Sequence, residues 1–105
     1  EHYPAGFALA VSEGIQRAKF RNGLTEPVPL TPGEVCLVTV QLRPLANRFV
    51  RGHRLRLDIT GSSWPHFDVN THTGRNPSED YERRVAIDTI HHGPQRPSRL
   101  VLPVL

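Results

Sequence analysis

Residues 46–74 read ANRFVRGHRLRLDITGSSWPHFDVNTHTG, and this stretch decides how the rest of the chain is read. From Gly52 onward, Leu55, Leu57 and Ile59 alternate with Arg54, Arg56, Asp58 and Thr60. Strand side chains alternate between faces, so this pattern predicts a half-buried strand with one wet face. The strand runs into a polar, irregular loop holding the only tryptophan, Trp64, together with Phe67. A loop that carries two large aromatics is expected to pack them against something.

Working outward, residues 7–11 (FALAV) and 15–21 (IQRAKFR) read as strands, separated by the turn signal Ser12-Glu13-Gly14. Asn22-Gly23 supports a tight turn, because both residues tolerate positive φ. The proline-rich segment 25–33 (TEPVPLTPG) predicts an extended link without ladder hydrogen bonds. Residues 34–42 (EVCLVTVQL) form a β-branched strand with Cys36, Val38, Val40 and Leu42 directed inward. Residues 43–52 are a compact link in which Gly52 supplies a turn. Residues 74–83 are polar and turn-rich, residues 84–91 and 98–105 read as strands, and Gly93-Pro94 lies in the connection between them. About six short strands and no helix suggest an all-β, antiparallel sandwich.

Length and composition set bounds. A chain of 105 residues has room for one domain, and ten prolines with eight glycines favour many turns. The net charge of +3 comes almost wholly from arginines. They sit singly on outward strand positions without interleaved aromatics, which argues against nucleic acid. No apolar segment approaches the ~20 residues of a membrane helix. Cys36 is alone, so it has no internal disulfide partner and reads as a buried structural thiol. We expect a soluble chain, with a cytoplasmic setting favoured.

The same residues carry a family resemblance. Asn47-x-Phe49-x-x-Gly52-His53-x-Leu55-x-Leu57 is followed by Ser62-Ser63-x-Pro65-x-Phe67-x-x-Asn70-x-x-Thr73-Gly74. Upstream stand Gly14-x-x-Arg17-Ala18-x-Phe20-Arg21 and Pro32-Gly33-Glu34; downstream stand Ala86-x-x-Thr89-Ile90-x-His92 and Pro97-Ser98-x-Leu100-x-Leu102-Pro103. In order and spacing this resembles the C-terminal β-domain of the X-Pro dipeptidyl-peptidase group of serine hydrolases. That group includes the cocaine esterase-like (CocE/NonD) hydrolases and the α-amino acid ester hydrolases. The resemblance implies a jelly-roll, galactose-binding-like β-sandwich and a fragment of a larger hydrolase that lacks its leading strands. It also implies an α/β-hydrolase catalytic domain of the same protein as partner, and it leaves room for a homo-oligomer. The parent reaction would be serine-dependent hydrolysis of an ester or of a prolyl peptide bond, as in dipeptidyl-peptidase activity.

No catalytic residue is assigned within this stretch. Gly61-Ser62-Ser63 lacks the second glycine of a nucleophile elbow, and no helix is predicted after it. The resemblance places the Ser-His-Asp triad on the preceding domain. Six histidines invite a metal reading, but neighbours such as His91 and His92 point to opposite strand faces, so neither metal nor cofactor is expected. Trp64, Pro65, Phe67 and Asn70 are the candidates for interdomain or substrate-cleft contact. Gly52, His53, Ser62 and Ser63 are the candidates for structuring the loop. The alternative is a stand-alone carbohydrate-binding module, in which Trp64 and Asn70 would meet a sugar.

Overall fold

The computed structural model describes residues 1–104. Two compact units are present, Glu1–Val69 and Asn70–Leu105.

The first unit begins with a hairpin. Gly6 N–H donates to Tyr3 O at 3.0 Å and Tyr3 N–H to Phe7 O at 3.0 Å, closing a turn in which Gly6 adopts φ 92. Leu9 N–H returns to Glu1 O at 2.8 Å, and Glu1 N donates to Leu9 O at 2.7 Å. His2 also exchanges both backbone bonds with Arg54, at 2.7 and 2.9 Å. The hairpin therefore lies antiparallel to the start of the Leu55-Leu57-Ile59 stretch. Immediately before that contact, His53 N–H donates to Val50 O at 3.0 Å, and Gly52 takes φ 91 in the turn. A side chain on residue 52 would meet backbone strain there.

The strand expected over residues 15–21 is replaced by a 3-10 turn at Ala18–Phe20. Local side-chain donors account for the change. The Gln16 amide donates to Arg17 O and Phe20 O at 3.2 and 3.0 Å. The Arg21 guanidinium donates to Ala18 O at 3.1 Å and Val28 O at 2.6 Å. The Arg17, Ala18 and Phe20 carbonyls are satisfied within the segment and do not need a neighbouring strand. Further on, Thr31-Pro32-Gly33-Glu34 closes with Glu34 N–H to Thr31 O at 3.0 Å, and Gly33 has φ 80. This is the geometry of a type II turn, with proline at its second and glycine at its third position.

Residues 12–14 run against residues 41–43. Arg43 N–H donates to Glu13 O at 3.1 Å, and the Ser12 hydroxyl donates to Arg43 O at 2.9 Å. Gly14 lies so close to Gln41 that a Cβ on it would stand 2.4 Å from the Gln41 carbonyl oxygen.

In the second unit, Arg84 N–H donates to Thr71 O at 3.0 Å, folding residues 71–84 into a closed loop. A separate turn joins Gly93 and Arg96. Among the described residues the buried ones are polar, Glu1 and Thr71, and the alternating apolar rows stand exposed. Cys36 is exposed too, not buried as its apolar surroundings in sequence predict: an apolar neighbourhood along the chain does not by itself bring other residues over the thiol.

Candidate functional site

Three local arrangements hold side chains in defined positions. The first is the aromatic loop. At its start the Thr60 hydroxyl donates to Ser62 O at 3.1 Å, and Phe67 N–H donates to Ser63 O at 3.0 Å. The loop therefore turns back on itself around Trp64 and Pro65, whose peptide bond is cis. Within that turn His66 Nδ1 stands 3.6 Å from Glu13, which also pairs with Arg43 at 3.3 Å. Trp64 is 73% exposed, Phe67 is half-buried, and Pro65, Ser62 and Ser63 are exposed. The loop thus presents an indole from an anchored base. Asn70 begins the second unit, where its side-chain oxygen accepts from His72 N–H at 3.1 Å and His72 takes φ 57.

The second arrangement is a clasp around the Glu1 carboxylate, whose side chain is 3% exposed. His53 Nδ1 donates to one oxygen. Asn47 Nδ2 and the Tyr3 hydroxyl donate to the other, at 3.2 and 3.4 Å. The Tyr3 ring stacks on Phe7 with centroids 4.2 Å apart and tilts against His53 at 4.3 Å. The His53 hydrogen bond holds the Glu1 carboxyl below the usual carboxylate range, helped by Asn47 and Tyr3 and opposed by burial. Burial, together with the nearby Glu1 charge, pushes the Tyr3 phenol up. His53 thus joins the turn at Gly52 to the hairpin rather than to the aromatic loop.

The third is a polar knot in the second unit. The Thr73 hydroxyl donates to the Asp80 carboxylate, which is 2% exposed. Thr71 stands 3.1 Å from the Thr73 hydroxyl, Glu82 N–H donates to Asp80 at 3.2 Å, and Arg75 lies 3.5 Å from both Asp80 and Glu82. Asp80 is held below its ordinary range, first by Thr73, then by Thr71, the Glu82 N–H and the Arg75 charge, with burial acting the other way. Sequence reading passed over both this carboxylate and Glu1. For Asp80 the available signal was Thr71 and Thr73 with an acid about a polar turn, which is the composition of side-chain to backbone loops, though it does not announce burial.

The histidines go to separate partners: His53 to Glu1, His66 to Glu13 and His72 to Asn70. Among the described residues no three His, Cys, Asp or Glu side chains converge as metal ligands do. No helix of the described residues is long and apolar enough to cross a membrane. These arrangements fasten loops and present an aromatic.

Comparison with known proteins gives the same direction. The family model of the X-Pro dipeptidyl-peptidase C-terminal non-catalytic domain matches residues 1–101. Cocaine esterase of Rhodococcus sp. (strain MB1 Bresler) is 33% identical over 105 residues, covering 98% of this chain. The chain spans 18% of the length of that esterase. No solved structure matches. The chain belongs to the family of X-Pro dipeptidyl-peptidase C-terminal non-catalytic domains.

Proposed function

We propose that this chain is the accessory domain of a serine hydrolase and packs on that enzyme's α/β-hydrolase domain. Its contribution is to hold the catalytic domain, shape access to the substrate cleft and provide contacts between copies in an oligomer. The parent reaction is serine-dependent hydrolysis of an ester or a prolyl peptide bond, in a soluble, cytoplasmic setting. The observation that carries this reading is the family match over residues 1–101. The exposed Trp64, held on an anchored turn, supports it and supplies the contact: an indole buries a large area while its N–H stays available to a polar edge. The domain's architecture in this reading is an antiparallel jelly-roll sandwich of the galactose-binding type. The exposed apolar rows, such as Leu55, Leu57 and Ile59, supply residues with the right period for its inner faces.

The test is Trp64→Ala in the complete hydrolase. The expected result is weaker association of the two domains and altered turnover. If neither changes, Trp64 does not dock. A second reading, a carbohydrate-binding module, draws on the same exposed indole. Titration with sugars while following Trp64 fluorescence separates the two, since a docking residue gives no saturable response to any glycan.

A further inference from the structure

The clasp around Glu1 uses one face of the amino-terminal hairpin and leaves the other unexplained. His2 and Arg54 exchange both backbone hydrogen bonds, so they are directly opposed in a hydrogen-bonded antiparallel pair. Opposed residues leave the same face side by side. Neighbours along an extended chain alternate, so this is the face opposite Glu1 and His53. Glu1 is therefore committed to His53 and turned away from Arg54. Beside the pair lies a concavity of about 340 Å³, lined by His2, Tyr3, Pro4, Gly52 and Arg54.

Two of the chain's arginines show what such a side chain can pair with. Arg56 is paired with Asp58 at 3.0 Å and Arg43 with Glu13 at 3.3 Å. Among the described residues Arg54 has no such acidic neighbour; the residue placed opposite it is an imidazole, itself a donor. Two donors side by side on one face call for an acceptor between them.

The geometry points to a carboxylate as the occupant of this concavity. A planar guanidinium meets both oxygens of a carboxylate with two parallel N–H bonds. The His2 ring supplies a further N–H in either tautomer. One guanidinium matches the single charge of the group. Two sources share this chemistry: an Asp or Glu side chain of the catalytic domain, or a free carboxylic acid. The first rests on the accessory-domain reading and the second does not.

The experiment titrates sodium acetate into the 105-residue chain at constant ionic strength, with chloride as the balancing anion. The His2 ring and the Arg54 Nε–Hε resonance are followed by NMR. Saturable shifts at both are expected. With the His2 ring as reporter, Arg54→Gln raises half-saturation by about tenfold or more, the loss expected for a charge-assisted bond. Arg56→Gln leaves it unchanged. Shifts that survive Arg54→Gln, that are equal at every arginine, or that favour inorganic phosphate over acetate overturn the assignment. The same titration on the complete hydrolase separates the sources. Loss of the response there assigns the site to a protein side chain, and its retention assigns it to a free acid. Trp64→Ala reads docking independently, so failure of that reading leaves the acetate response of the chain itself intact.

Discussion

His53 donates through Nδ1 to the carboxylate of Glu1, a residue 52 positions earlier in the chain. The contact fixes the hairpin of residues 1–9 to the turn at Gly52, and Tyr3 and Asn47 complete the carboxylate's hydrogen bonds. Removing the imidazole leaves a buried carboxylate with fewer donors, which is the costly way to lose a hydrogen bond. His53→Ala should lower the thermal midpoint by about 4–8 °C for a chain of this size. His53→Gln, which keeps a donor, should recover part of the loss. Differential scanning calorimetry of the three proteins checks this.

Acid should release both carboxylate-centred arrangements. Glu1 and Asp80 have folded values below their ordinary ones, so the unfolded chain takes up protons first as pH falls. Their stabilising contribution is complete above the ordinary carboxylate range of about pH 4 and is lost as pH falls through the folded values. Tyr3 behaves oppositely. Its folded value is raised, so its contribution is complete below about pH 10 and lost as pH rises through the folded value. Urea midpoints measured from pH 2 to 7 should fall on the acid side. Asp80→Asn should be less stable at pH 7 and show a shallower acid limb.

Gly14 has no room for a side chain, because a Cβ would sit 2.4 Å from Gln41 O and 3.1 Å from Val40 Cγ1. Gly14→Ala should force the segments at residues 12–14 and 41–43 apart and cost about 1–3 kcal/mol. Gly93→Ala, where a Cβ meets nothing within 4 Å, should stay within about 0.5 kcal/mol of the parent. Denaturant unfolding of the two variants makes the comparison.

Glu13 stands between Arg43 and His66 and so ties the aromatic loop to residues 41–43. All three side chains are open to solvent, and such pairs are weak and salt-screened. Glu13→Gln should leave the thermal midpoint nearly unchanged while increasing the fast component of Trp64 fluorescence anisotropy decay. High salt should do the same to the parent. An anisotropy decay insensitive to both would mean that Glu13 does not hold the loop.

Much of this was readable from local chemistry. The order of Gly52-His53, Ser62-Ser63, Pro65, Phe67 and Thr73-Gly74 carried the family, which the match over residues 1–101 shows. Asn22-Gly23 marked a turn because few residues other than glycine accept positive φ, whereas the turn at Pro32-Gly33 lies inside a segment that its prolines had marked as an extended link. The segment over residues 15–21 misled, because alternation does not register a glutamine and an arginine able to satisfy the local carbonyls themselves. The Glu1 clasp was out of reach for a different reason. Its partners are scattered over residues 1, 3, 47 and 53, and no periodicity links a carboxylate to an imidazole at that separation. Asp80 was hidden in a polar stretch, where an acid is ordinarily solvated and nothing in the sequence signals burial.

A chain that supports the proposed hydrolase without cleaving bonds itself has no turnover of its own. The direct measurement is turnover of a chromogenic ester and of an X-Pro dipeptide anilide by the purified 105-residue chain, beside the complete hydrolase. The expected result is no hydrolysis above buffer from the chain alone and full activity from the complete enzyme. Turnover by the chain alone that disappears on Ser62→Ala, Ser63→Ala or a histidine substitution would contradict it.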